Sequence, residues 1–258
     1  MDEHLQQIKN LLDNKRRLYN QPSFIKGDPI SVPHRFTKKQ DIEIAGLFAA
    51  VLAWGNRTTI INSCNKLVVL MNNAPHDFIL NHKDTDLKPF MHFVHRTFNA
   101  TDLLYFIHLL QWHYKQHDSL EDAFVPGKTY KEETVKQALV HFHNYFFSIE
   151  HPERTRKHIA TPARKSACKR MNMYLRSMVS IDKQGVDFGI WKKIKPHQLV
   201  CPLDVHVARV AHRLGLIDNT NSNWQNALQL TTTLREMNPQ DPAVYDYALF
   251  GLGAEERL

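Results

Sequence analysis

Two residues stand where a nucleophile and a fixed carboxylate would be wanted. Lys165 follows Thr161-Pro162-Ala163, a cap-and-proline start suited to the first turn of a helix. Arg164, Lys169 and Arg170 surround it. Like charges and the positive end of a helix dipole both disfavour an ammonium, so an amine in that setting is readied to attack carbon. Asp204 precedes Val205-His206-Val207-Ala208 and reads as a helix N-cap, which would hold its carboxylate rigid and ionised. An amine facing a fixed carboxylate can displace a base from a deoxyribose C1′. The carboxylate steadies positive charge on the sugar and the amine takes the carbon as a Schiff base. Each residue also has a plainer use, Lys165 as a phosphate contact or solvated side chain and Asp204 as a cap alone.

The elements that must position this pair are helices. Behind Thr161, the apolar Ala167, Met171, Leu175 and Met178 recur at helical spacing to about Val179. At about 100° per residue, Lys165, Lys169, Asn172 and Arg176 gather on another face, a cationic and polar stripe. The second helix runs from Val205 to Leu214, with Gly215 as its stop. A loop containing Gly185, Gly189 and Trp191 joins the two. Elsewhere the spacing predicts helices over 2–19, from about Lys38 to Trp54 with Thr37 and Gln40 as a capping box, and over 68–80, 102–116 and 132–147. Alternating β-branched runs are few, so the fold class expected is all-α.

The chain has 258 residues, 43% hydrophobic and 23% charged, which excludes wholesale disorder. Its longest apolar run, Ile44 to Trp54, is eleven residues, well short of the roughly 20 a bilayer span needs. No export signal is read at Met-Asp-Glu-His-Leu. Cys64, Cys168 and Cys201 are odd in number and widely spaced, as reduced cytosolic thiols are. A cytoplasmic location and no membrane partner are therefore expected. The net charge is +7, and nearly all of it lies in residues 151–170, where seven cations meet one anion. Such a block suits a polyanion. His113-x-x-x-His117 and His141-x-His143 lack a carboxylate or cysteine companion at ligand spacing, so no metal is expected.

The segment Leu203-Asp204-Val205-His206-Val207-Ala208-Arg209-Val210-Ala211-His212-Arg213-Leu214-Gly215-Leu216 resembles the catalytic-aspartate segment of the helix-hairpin-helix-GPD superfamily of base-excision DNA glycosylases. Lys165 to Met173 is similar to that superfamily's Schiff-base lysine helix, nearest the archaeal oxidised-guanine branch, where a methionine follows the lysine by eight positions. The whole chain also looks like an uncharacterised bacterial family within that superfamily. The resemblance implies Lys165 as nucleophile, with Lys169 one turn further along as its rival, and Asp204 as the acidic partner. It implies a base pocket drawn from Trp54, Asn56 and Arg57 in the helix-and-turn segment at 49–60, and from Tyr245 and Phe250 in the late helix at 245–253. Arg154, Arg156, Lys157, Arg164, Lys169 and Arg170 would hold phosphates.

The implied fold is a two-lobed glycosylase, one lobe of about 1–95 with 204–258 and the other of about 96–203, with the active site in the cleft between. The implied activity is removal of a damaged base, an oxidised purine being nearest, from double-stranded DNA with the base flipped out, followed by strand cleavage. A monomer needing no cofactor is expected. The alternative is a nucleic-acid-binding protein that keeps the fold without the chemistry. Three departures stand out. The superfamily's hairpin presents glycine amides to a phosphate, whereas Ile159-Ala160-Thr161-Pro162-Ala163 has no glycine. The 39 positions from Lys165 to Asp204 make the Trp191 loop an insertion. Three scattered cysteines cannot hold the iron–sulfur cluster of the endonuclease III-like branch.

Overall fold

The structure is a computed structural model that describes residues 2–256, the side chain of Glu255 excepted. It is mainly helical: α1 (Glu3–Tyr19), α2 (Pro22–Lys26), α3 (Lys39–Leu52), α4 (Arg57–Leu70), α5 (Pro75–Asn81), α6 (Ala100–Tyr114), α7 (Glu121–Phe124), α8 (Lys136–Phe146), α9 (Lys169–Val179), α10 (Val205–Arg213), α11 (Trp224–Met237) and α12 (Asp246–Phe250). Strands β1 (Val94–His95) and β2 (Phe98–Asn99) form an antiparallel hairpin, with Val94 opposite Asn99 and His95 opposite Phe98. Among the described residues, no helix is long and apolar enough to cross a membrane.

The chain divides into two compact units. The first comprises 1–24, 128–140 and 161–258, and the second 25–127 and 141–160. This corrects the expected lobes. Residues 25–95 fold with 96–127 because α3 packs on α4 and α5, and α5 packs on α6. Residues 161–203 fold with the chain ends, since Lys169 reaches Asp204 and Arg176 reaches Asp246.

In the second unit, α3 is buried on all sides from Asp41 to Leu52. That explains why the Ile44–Trp54 run reads as apolar without a polar face. Glu43, in α3 just before this run, is at 0% exposure and is satisfied there. It accepts hydrogen bonds from the Tyr114 hydroxyl at 2.9 Å, the Ser119 hydroxyl at 2.5 Å and the Leu120 amide at 3.1 Å. The expected Thr37–Gln40 capping box does not form, because Lys38 takes the N-cap position with no side-chain cap bond. Phe98, Phe106 and Phe146 meet edge-on, with ring centroids 5.3 and 4.6 Å apart. The helix expected over 68–80 is in fact broken. Asn72 and Asn73 are both left-handed, with φ of 55° and 54°, which ends α4 before Pro75 opens α5.

In the first unit, α1 lies along α12. Asp2 caps α1 by accepting the Leu5 amide at 2.7 Å. Ile8 and Leu12 are buried, and Tyr19 closes on Gly251 so tightly that a Cβ there would meet the ring carbon Cδ2 at 2.2 Å. The apolar face of α9, Met171, Leu175, Met178 and Val179, is buried as its spacing predicts. The Trp191 ring from the following loop stands edge-on to Tyr174 at 5.4 Å.

Candidate active site

Asp204 caps α10. Its backbone is extended (φ −117°, ψ −173°), and Oδ1 accepts the His206 and Val207 amides at 2.9 Å each. That leaves Oδ2 for a second partner, the Nζ of Lys169 at 2.9 Å. Lys169 is the first residue of α9, so the pair joins two helix starts. Burial pushes the Asp204 carboxyl up, but the Lys169 ammonium and the two helix amides outweigh it and hold the group below the usual carboxylate range. The side chains are 30% and 19% exposed, so an outside molecule can reach both.

Lys165 is not in this pair. The helix expected from Thr161 breaks in two. Thr161 Oγ1 accepts the Ala163 amide at 3.3 Å and starts only a 3₁₀ turn, Pro162–Arg164. Lys165 then turns left-handed at φ 61°, and Cys168 does so again at φ 51°. Between them Ser166 bridges Asn223, and the Lys165 carbonyl accepts the Trp224 amide at 3.1 Å. The Cys168 amide turns to Ser166 Oγ at 3.1 Å. These bonds take the amide and carbonyl that a helix would use, so α9 starts only at Lys169. Lys165 is exposed and makes no ion pair among the described residues. The amine facing Asp204 lies four positions further on.

The rest of the stripe on α9 turns inward. Asn172 is buried and donates to the Ala167 carbonyl at 3.0 Å. Arg176 is buried and paired with Asp246, the first residue of α12. It also donates to Tyr247 Oη at 3.1 Å, faces Asp187 at 3.4 Å and lies 4.1 Å over the Tyr247 ring. Burial pushes the Asp246 carboxyl up to about 6 against the Arg176 and Lys169 charges, which lower it. Burial likewise takes Asp241 to about 6 and raises Asp187. Two buried carboxyls, Asp187 and Asp246, thus hold the Arg176 guanidinium, and its charge also reaches the half-buried Asp241. Sequence reasoning missed them. The available signal was a charge inside an apolar run, Arg176 in Met-Tyr-Leu-Arg-Ser-Met-Val and Asp246 in Tyr-Asp-Tyr-Ala-Leu-Phe.

A family model described as a protein of unknown function (DUF2400) matches residues 28–255. The chain belongs to the DUF2400 family. No curated protein and no solved structure matches it. The family's match covers parts of both compact units, without residues 1–24, and includes every candidate residue named from the sequence.

The basic block of this DUF2400 chain is divided, with Arg154, Arg156 and Lys157 in the second unit and Arg164, Lys165, Lys169 and Arg170 in the first. Arg154 is a structural clamp. It pairs with the buried Asp102 at 2.7 Å, donates to the Thr97 carbonyl at 3.0 Å and bonds Asn99. Arg156 pairs with Glu153 at 3.0 Å, donates to His151 at 2.9 Å and covers Phe147. Arg170 is partly buried, and burial lowers its guanidinium's proton affinity. Lys157 and Arg164 remain exposed, with no ion pair among the described residues.

The base-pocket candidates fall out similarly. Asn56 is exposed and caps α4, accepting the Thr59 amide at 3.2 Å, and Arg57 is that helix's exposed first residue. Trp54 is half-buried under the Arg96 guanidinium, 5.0 Å from the ring centre. Tyr245 is 1% exposed and donates to Asp13 at 3.0 Å, so its ring belongs to the core and cannot stack on a base as it stands. Phe250 is half-buried at the end of α12. Trp54, Asn56 and Arg57 belong to one unit, and Tyr245 and Phe250 to the other. Both His pairs expected to be non-ligating have ring nitrogens bonded within the fold. His113 bonds Tyr145 and the Ser119 carbonyl at 2.8 and 3.0 Å, and His141 and His143 bond the Ala123 and Ile159 carbonyls. Among the described residues, no group of three or more His, Cys, Asp or Glu side chains could hold a metal ion.

Proposed function

We propose that this chain is a DNA glycosylase with AP lyase activity, in which Lys169, not Lys165, is the nucleophile and Asp204 its partner. The observation that carries the reading is the 2.9 Å contact between an amine and a carboxylate, each at the start of a helix and each reachable from outside. Asp204 is held ionised by two helix amides, so it can steady cationic charge on a deoxyribose while keeping its own orientation. Lys169 gives one ammonium proton to the departing base and attacks C1′ as the C1′–base bond breaks, the base carrying away the bonding pair. An N–H proton of the new C1′–N bond then passes to O4′ as the C1′–O4′ bond opens, which leaves a protonated imine. The imine acidifies the C2′ hydrogen, whose loss expels the 3′ phosphate and nicks the strand.

The proposal includes the helix-hairpin-helix fold, double-stranded DNA as partner, a flipped damaged base and, by resemblance, an oxidised purine as the nearest substrate class. Support for the hairpin comes from residues 161–168. Where glycines would supply left-handed backbone, Lys165 and Cys168 adopt it instead. Within the basic block, Lys157, Arg164 and Lys165 are the exposed cations that make no ion pair among the described residues, and so are open to phosphate.

The test is borohydride trapping on a panel of lesion duplexes. The wild type and Lys165→Ala should form a covalent adduct, and Lys169→Ala should form none. Trapping lost in Lys165→Ala but kept in Lys169→Ala would overturn the assignment. Salt-sensitive duplex binding with no base release from any lesion would overturn the chemistry and leave the non-catalytic binder.

A further inference from the structure

The last turn of α1 and the turn at Asp182 enclose a polar depression of about 440 Å³, apart from the Lys169–Asp204 pair. Asp13, Arg16, Arg17, Asn20, Gln21 and Gln184 line it, with no aromatic or aliphatic side chain among them. Asn20 is 3% exposed. Its Nδ2 donates to Asp182 Oδ1 at 3.2 Å. Asp182 is itself fixed by the amides of Gln184, Val186 and Asp187 at 2.9, 2.6 and 3.2 Å. The amide of Asn20 therefore has one orientation, and Oδ1, buried, has no hydrogen-bond partner. A buried acceptor left so is destabilising, and a donor from outside would relieve that cost.

The charge of the lining is cationic. Asp13 is already engaged on both oxygens, by Lys9 at 2.5 Å and by the Tyr245 hydroxyl at 3.0 Å. Among the described residues Arg16 makes no ion pair, and the Arg17 guanidinium bonds the neutral Asn14 side chain and no carboxylate. A guest must then offer an anionic group to two guanidinium groups and an O–H or N–H to Asn20. No ring is present for a nucleobase to stack on, and arginines exclude a metal cation. The volume is within the usual range for small-molecule sites and exceeds what a bare phosphate fills.

We propose that this depression binds a phosphorylated sugar, with the phosphate on Arg16 and Arg17 and a sugar hydroxyl donating to Asn20 Oδ1. The phosphate–sugar group is carried either by a free metabolite or by the end of a nucleic-acid strand.

Calorimetric titration of the full chain tests this. The probes are ribitol 5-phosphate (it has no aldehyde to react with lysines), ribitol, inorganic phosphate and a 5′-phosphorylated single-stranded oligonucleotide. Ribitol 5-phosphate should bind at least about tenfold more tightly than phosphate, and ribitol should give no signal. Arg16→Gln and Arg17→Gln should each weaken binding by about tenfold or more without changing the melting temperature. Lys169→Ala should bind as the wild type does, so this result is independent of the glycosylase reading. An oligonucleotide that displaces ribitol 5-phosphate and binds more tightly assigns the group to a strand end, whereas one that does not compete assigns it to a free metabolite. No binding of any probe tighter than about 10 mM, or a double Arg16→Gln/Arg17→Gln variant that binds ribitol 5-phosphate as the wild type does, overturns the site.

Discussion

Replacing Asp204 removes three separable contributions, which allows its structural and chemical roles to be told apart. Alanine abolishes the cap that serves the His206 and Val207 amides, worth about 1 kcal/mol. It also removes a negative charge from a helix N-terminus, about 0.3–1 kcal/mol, and the Lys169 pair. With side chains 30% and 19% exposed, solvent screening keeps that pair at about 0.2–1 kcal/mol. Asp204→Ala should therefore cost about 2 kcal/mol and lower the melting temperature by roughly 4–8 °C at this chain length. Asparagine keeps an acceptor oxygen for the cap and loses only the charge, so Asp204→Asn should cost about half as much. Lys169→Met should cost less still. The pH dependence follows from the depressed carboxyl. Its charge-dependent stabilisation is fully present above the ordinary carboxylate value of 3.8 and is lost as pH falls through the lower folded value. The gap between wild type and Asp204→Asn should be flat from about pH 5 to 8 and close in stronger acid. Thermal melting followed by circular dichroism, with base release measured on the same samples, reads all of this. If Asp204→Asn melts as low as Asp204→Ala, the capping argument fails. If Asp204→Asn releases base at the wild-type rate rather than about a hundredfold more slowly, Asp204 has no part in the chemistry.

Arg176→Met leaves the carboxyls of Asp187 and Asp246 buried without their guanidinium and should destabilise the chain by about 3–5 kcal/mol in urea denaturation; a loss under about 1 kcal/mol would show the cluster to be hydrated instead. Asp246 has a folded value raised to about 6 from 3.8, so its contribution is greatest below 3.8 and declines as pH rises through 6. Asp246→Asn should accordingly gain on the wild type by up to about 3 kcal/mol between pH 4 and 7, whatever its offset at pH 4, and a difference that does not change with pH would refute this. Gly251→Ala puts a methyl group into the Tyr19 ring at a position where the ring cannot simply swing its far end away, and should cost about 1–3 kcal/mol on melting.

How much of the site was legible follows from which bonds define it. α10 was readable because its signals are local: Asp204 bonds amides two and three positions on, and Gly215 takes the left-handed φ of 70° just past the helix. The start of α9 was not, because the bonds that turn Lys165 out of the helix run to Asn223 and Trp224, far along the chain. The α9 stripe shows a subtler limit. Helical spacing correctly groups Lys169, Asn172 and Arg176 on one face, but an angle on a helix does not say what the face meets. It meets Asp204, Asp187 and Asp246, so cations that read as a surface for phosphate are in fact consumed by carboxylates from three other segments. The same holds for Arg154 and Arg156, each already committed within the fold. Net charge in a segment therefore overstates its capacity for a polyanion wherever buried acids lie opposite. By this reasoning the salt dependence of nucleic-acid binding should reflect few phosphate contacts, with Lys157, Arg164 and Lys165 foremost, rather than the seven cations the sequence displays.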